Sequence, residues 1–332
     1  MLSNLFHVSA APHSRSPITT KGIMRDVILA LIPAGLFGIY NFGITALTVI
    51  VVTIAACVLT EYFFNKYMKK PQSIGDYSAV LTGLLLAYNL PAGFPLWMCV
   101  TGGVFAILVV KMLFGGLGQN FMNPALAARA FLLVSFPVRM TAFTVNQIAS
   151  PTAADYIRHG LVAVDGVSGA TPLAALKDGQ SIDLIKMLVG NIGGTIGETS
   201  AIAILLGAAY LLCKRIISLR IPLAYIITLA VFVLIFGGRG FDTTFLLGHI
   251  LGGGLLLGAF FMATDYVTSP ITPKGQIIFG ICLGILTGLF RIQSESAEGV
   301  SYAIIFGNLL VPLIEKATRQ KSFGRERAVS EK

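Results

Sequence analysis

Charge is what this sequence has least of. Asp, Glu, Lys and Arg make up only 12% of its 332 residues, about half the share that a soluble domain carries. A water-soluble fold of this length is thereby excluded, because nothing would cover it. Acidic groups are the scarcer kind, 15 against 24 basic ones, for a net charge of +9. The basic residues neither stripe a soluble helix nor interleave with aromatics, which excludes nucleic acid as a partner. Cysteine is sparse and scattered: Cys57, Cys99, Cys213 and Cys282 stand far apart, and none belongs to a CxxC or CxH pattern. Small apolar packing is their expected role, with a disulfide or a cluster shared between distant parts of the chain as the alternative. No GxGxxG or P-loop stands between a strand and a helix, and no nucleophile, base and orienting group form a set. Hydrolytic chemistry has no support, and any nucleotide substrate must bind a partner. The first residues, with Pro12, Ser14 and Pro17 ahead of any apolar run, do not read as a cleavable signal peptide.

What is abundant is apolar surface: 55% of residues, with a mean hydropathy of +0.81. This is membrane composition. Ten apolar stretches follow one another, at about 25–42, 44–64, 78–90, 96–114, 124–138, 192–213, 219–236, 245–263, 277–290 and 300–315. A crossing needs ~20 such residues, so 78–90, 124–138, 277–290 and 300–315 are predicted to be tilted, broken or partly interfacial. With the N-terminus in the cytoplasm, 17 of the 24 basic residues, Lys66, Lys111, Lys214 and Lys274 among them, fall on the cytoplasmic side. Six fall on the other side and Arg129 lies within a span, as the positive-inside rule favours.

Displacing the first half by 176 positions lays 25–42, 44–64 and 96–114 onto apolar stretches of the second. Identity is poor, although Ala87 meets Ala263 and Phe114 meets Phe290. The expected fold is an all-α integral membrane protein of about ten transmembrane helices. It forms two inverted five-helix repeats, 25–138 and 191–315, with some short or broken helices. Coincidental helix spacing is the competing reading. Residues 1–24 would form a cytoplasmic segment, 139–190 an extracytoplasmic loop and 316–332 a basic cytoplasmic tail.

That loop is too long to be idle. It holds Asp165-Gly166-Val167-Ser168-Gly169-Ala170-Thr171-Pro172-Leu173, where glycines permit close backbone approach and Thr171 offers a hydroxyl. Alone, this is a turn or a helix cap. Ser168-Gly169-Ala170-Thr171, preceded by Asp165, resembles the acceptor motif on which a flavin transferase joins FMN to threonine through a phosphoester bond. Three more stretches extend the resemblance: Phe114 to Leu126 (FGGLGQNFMNPAL), Ala128-Arg129-Ala130-Phe131, and Phe261-Met262-Ala263-Thr264-Asp265. Over nearly its full length the chain resembles the D subunits of Rnf complexes, the ion-translocating ferredoxin:NAD+ oxidoreductases. It is also similar to their relatives, the B subunits of Na+-translocating NADH:quinone oxidoreductases. Those B subunits carry an N-terminal extension that this chain lacks, which favours the Rnf D family.

The resemblance implies covalent FMN on Thr171, with Asp165, Ser168, Gly169 and Ala170 around it, facing outward from a bacterial cytoplasmic (inner) membrane. Both termini would be cytoplasmic. Asn120 and Asn123 bracket the break before the fifth span, where Pro124 suits a first helical position. In the family the matching asparagines border a second, non-covalent flavin, riboflavin, whose polar edge carboxamides can satisfy. Helix capping is their plain alternative.

Ionisable residues in or near spans are costly and so are candidates: Glu61, Asp76, Arg129, His249 and Asp265. Glu61 and Asp76 suit cation uptake or a solvated interface. Asp265 matches an acidic family position and suits ion coupling. Arg129 suits a carboxylate, a flavin or a lipid phosphate, and is taken as a cofactor-binding candidate, whereas His249 suits packing. Oxygen ligands would serve Na+, and a series of carboxylates would serve H+; both stay open, and no metal site is expected.

The implied function is a membrane subunit of a multi-subunit Rnf-type oxidoreductase, matured by a flavin transferase. Electrons would pass through FMN and riboflavin between ferredoxin and NAD+, coupled to Na+ or H+ transport, with no complete active site for NAD+ or ferredoxin in this chain. A cofactor-free secondary transporter or channel, and the sister quinone-reductase subunit, are the rivals.

Overall fold

A computed structural model describes residues 18–143, 171–177, 182–190, 192–293 and 299–319. Asp165, Ser168, Gly169 and Ala170 lie outside the described residues. The first helix, α1 (Thr20–Phe42), begins where the Thr19 hydroxyl accepts the Gly22 N–H at 3.1 Å. It is followed by α2 (Ile44–Tyr67), α3 (Ser78–Tyr88), α4 (Leu96–Val104) with a π-helical continuation Phe105–Met112, α5 (Pro124–Ser135) and α6 (Pro137–Met140). Two short helices, α7 (Pro172–Lys177) and α8 (Leu184–Val189), precede the second half. That half contains α9 (Ala201–Cys213), α10 (Arg220–Phe236), α11 (Thr243–Leu251), and α12 (Leu255–Leu257) with a π-helical continuation Gly258–Met262. It ends with α13 (Pro273–Gln293) and α14 (Val300–Thr318). No strand forms among the described residues, and a single antiparallel bridge joins Pro91 to Thr195.

Among the described residues, α1, α2, α13 and α14 are long and apolar enough to cross a membrane. The pair made by α11 and α12 with its continuation forms a fifth candidate, bent by 55°. The remaining apolar helices run 10–17 residues. The 13 residues of α9 reach about 20 Å, short of the ~30 Å hydrocarbon core. Each of the ten predicted stretches carries helix, but 277–290 and 300–315, predicted short, belong to helices of 21 and 19 residues, and 192–213 is helical only from Ala201, because glycines occupy its first part. Leu36, Tyr40, Leu206, Ile235 and Leu313 stand exposed on the outer faces, an apolar exterior suited to lipid. The chain is a multi-pass membrane protein.

In lipid the hydrophobic effect does not drive helix against helix, so close backbone contact must. Gly280, Gly284 and Gly288 recur every four residues along α13, where it lies against α10. A Cβ at Gly280 would stand 2.9 Å from the Ile221 carbonyl oxygen, and one at Gly284 2.6 Å from the Thr228 Cβ.

The bent pair breaks at Gly252–Gly254, where Gly253 and Gly254 have φ of 64° and 67°. A break in lipid strands backbone carbonyls. Arg291, only 1% exposed, reaches them from α13. Its guanidinium donates to the carbonyl of His249, to Gly252 at 2.9 Å and to Gly253 at 3.1 Å, and its charge meets the negative end of the α11 dipole. Each such charge-assisted bond is worth about 1.5–3 kcal/mol. Arg291→Met is therefore expected to cost at least about 3 kcal/mol in reversible unfolding in detergent, and Arg291→Lys to recover part of it. An unchanged midpoint would show that the break is held by other groups.

Candidate functional site

A cleft enclosing about 790 Å³, its open mouth included, collects residues that are scattered in sequence. Lys111, Asn120, Asn123 and Asp265 all line it, between walls that include Leu85 and Phe260. The loop entering it turns on Gly115, Gly116 and Gly118, whose φ values lie between 91° and 119°. Asn123 then caps α5: its Oδ1 accepts the N–H of Ala125 at 3.0 Å and of Leu126 at 3.4 Å, with Pro124 in the first turn. The same carboxamide donates to the Met262 carbonyl at 3.5 Å, across the two halves. Asn308 of α14, its amide oxygen turned toward Asn123, accepts the Asn123 N–H at 3.1 Å. Asn120 donates to the Met122 carbonyl at 3.0 Å.

Asp265 lies beyond the last helical residue, Met262, and accepts from the Thr268 hydroxyl at 3.1 Å and the Val267 N–H at 3.5 Å. Burial pushes its carboxyl above the usual carboxylate range, and those two bonds pull it partway back.

Lys111, counted by sequence among the cytoplasmic cations, is buried in an ion pair. It is 2% exposed, and its Nζ lies 2.6 Å from Glu61 Oε2 and 2.6 Å from Ser78 Oγ, with Glu61 itself at 0%. The Ser78 hydroxyl donates to Asp76 Oδ1 at 2.6 Å. Ser73 donates to Glu61 Oε1, and Asn65 donates to Ser73 at 2.9 Å. Glu61 and Asp76 are thus joined in one network behind the cleft wall. Arg129, 4% exposed, is not among the described lining residues and donates to the Ser301 hydroxyl, tying α5 to α14. All four cysteines are free.

Thr171 sits elsewhere. Half-buried, it precedes α7, accepting the Ala174 N–H on Oγ at 3.3 Å and the Ala175 N–H on its carbonyl at 2.9 Å. It shares a cavity of about 330 Å³, mouth included, with Glu198, Gly252 and Gly253. Glu198 Oε1 is held by the Thr195 N–H at 3.1 Å. Because α12 and its continuation run from that cavity to Met262 at the cleft, the two sites lie at opposite ends of this segment.

Residues 7–324 match the family described as NQR2, RnfD, RnfE. The chain belongs to that family. It is 45% identical over 323 residues, 96% of its own length and 95% of the relative, to the D subunit of the Na(+)-translocating ferredoxin:NAD(+) oxidoreductase complex of Acetobacterium woodii. It is 44% identical over 336 residues, 98% of each, to the D subunit of the proton-translocating ferredoxin:NAD(+) oxidoreductase complex of Clostridium ljungdahlii. The D subunit of the ion-translocating oxidoreductase complex of Halorhodospira halophila is 34% identical over 342 residues, which cover 96% of the sequence in hand and 95% of the relative. The resemblance drawn from the motifs therefore extends to nearly the whole chain.

Within the family frame, the Glu61–Lys111 pair has a measurable signature. Removing one partner of a buried pair strands the other charge, at a cost of about 3–5 kcal/mol, whereas removing both is far milder. Lys111→Met should lose that much stability in detergent, and Lys111→Met with Glu61→Gln should regain most of it. Equal losses in the single and double variants would show that the two charges are not coupled.

Proposed function

We propose that this chain is the flavin-carrying membrane subunit of an Rnf-type ion-translocating ferredoxin:NAD+ oxidoreductase. FMN is esterified to Thr171 at one end of the bundle, and riboflavin is held beside Asn120 and Asn123 at the other. One observation carries the reading: in a chain of this family, a half-buried threonine stands at the break of one bent span and a carboxamide-lined cleft at the end of that span's second limb.

The cleft suits a flavin. Its walls are largely apolar, and Asn120 and Lys111 bring donors to its lining. A bound flavin supplies one- and two-electron redox chemistry, and the protein supplies position and electrostatics. Asn123 fixes the turn that carries Asn120, Lys111 sets a positive charge at the wall, and Asp265 offers a carboxyl ready to take a proton. The two halves are read as inverted repeats of five spans. In support, α2 lies along α4 as α10 lies along α13, and α1 and α5 meet α9 and α14 of the other half. The N-terminus is cytoplasmic and Thr171 extracytoplasmic, in keeping with the positive-inside count. Partners are the remaining subunits of the complex and the flavin transferase that loads Thr171, and the transported ion is Na+ or H+.

The protein, co-expressed with a flavin transferase, should give a fluorescent band on a denaturing gel under ultraviolet light, and Thr171→Ala should abolish it. A cofactor-free transporter gives no band, and that result would overturn the reading. Acid extraction should also release riboflavin, diminished in the Asn120→Leu, Asn123→Leu variant. Unchanged release would remove these asparagines from the site.

A further inference from the structure

The cavity at Thr171 is the smaller of two that flank α7. The other lies at the far end of this helix and encloses about 780 Å³, its mouth included, against about 330 Å³. Of these, about 10 Å³ beside Thr171 and about 350 Å³ in the second is enclosed room, and sites for cofactor-sized ligands start at about 300 Å³, so only the second can seat a ring system. Lys177 follows Thr171 by six positions, about 9 Å of helical rise. Arg291 bridges the two cavities, bonding Gly253 of the first while lining the second.

The larger cavity has a consistent electrostatic character. Lys177, Arg239 and Arg291 line it, and no carboxylate does so among the described residues. Arg239 is held at its rim, donating to the Leu176 carbonyl at 3.3 Å with its guanidinium 5.1 Å from the Phe245 ring centre. Phe245 meets His249 edge to face at 4.6 Å. His249 is only 2% exposed, and its Nδ1 has no hydrogen-bond partner among the described residues. A buried polar atom in that state costs about 1–3 kcal/mol, which a ligand's polar edge would offset. Apolar walls, three cations and an unsatisfied ring nitrogen describe a seat for a flat heteroaromatic group with electron-rich edges.

We propose that this cavity seats the isoalloxazine ring of the flavin carried by Thr171, with Lys177, Arg239 and His249 meeting its polar edge and Leu176 and Phe245 as apolar walls. The assignment rests on the flavin reading above. Lys177 and Arg239 then favour the redox form with more negative charge, which is the reduced one. Both side chains are exposed, so salt screens their effect.

The test uses the full-length protein loaded by a flavin transferase, in the Asn120→Leu, Asn123→Leu background so that the covalent flavin alone is followed. Lys177→Gln with Arg239→Gln should leave the fluorescent gel band intact and move the flavin midpoint potential to more negative values at low salt. The difference should shrink at high salt and be absent in the charge-keeping Lys177→Arg, Arg239→Lys variant. An intact band with an unmoved potential overturns the proposal while sparing covalent attachment. Absence of the band in the parent overturns both. If native mass spectrometry instead finds anionic phospholipid retained by the parent and lost from the Gln variant, with the potential unmoved, the cavity holds a lipid headgroup and the proposal falls.

Discussion

Backbone carbonyls cannot be left without partners in lipid, and in this protein the constraint is sharpest at the three released where the bent span breaks. Arg291 meets all three from a neighbouring helix. Much of the architecture follows from that contact. It holds the 55° bend, whose break borders the Thr171 cavity and whose second limb runs to Phe260 and Phe261 at the opposite cleft. It also pins α13 to the break, while the Gly280, Gly284 and Gly288 edge holds the same helix against α10. A straight helix would need no arginine but would offer no site, because only irregular backbone brings free polar groups into a membrane interior.

The Lys111–Glu61 pair answers the same constraint with side chains. Burying each charge costs several kcal/mol, and their attraction repays this only when the remaining donors and acceptors are also satisfied. Ser73, Ser78 and Asn65 supply such partners here, and Ser78 itself lines the cleft. Lys111 still borders the cleft. The wall therefore carries an ammonium whose charge is balanced by its own buried counter-ion. Arg129, bonded to Ser301, ties α5 to α14.

How much of this is legible in the sequence differs by kind of feature. Apolar stretches foretell the helices, because a lipid-facing helix must be apolar over its length. The Asn123-Pro124 break is legible too, since capping chemistry is local. Span lengths are less so: residues 192–199 read as apolar but are held as loop by glycines and by hydrogen bonds of Ile196 and Gly197 to Leu90 and Tyr88, partners about a hundred positions away. Charge is the hardest to place. Lys111 counts as one more cytoplasmic cation and Arg291 as one more external one, since a sequence gives the end of the span but not the direction of the side chain. Residues 61, 78 and 111 have no period that joins them, and the packing of α2, α3 and the π-helical segment alone does so. Glu198 carries no signal at all, and His249 reads as packing because its unsatisfied nitrogen is a property of its neighbours.

Two relatives share 45% and 44% identity with this protein, and their names carry different ions, Na+ and the proton. Similarity across the whole sequence therefore does not separate the two ions. Among the acidic candidates, Glu61 is neutralised by Lys111, and Asp76 reaches the same ammonium through Ser78. Asp265 has only neutral donors among the described residues, Thr268 and Val267, and burial already raises its affinity for a proton. A half-sheltered carboxylate without a cation of its own is the costliest of the three to keep charged.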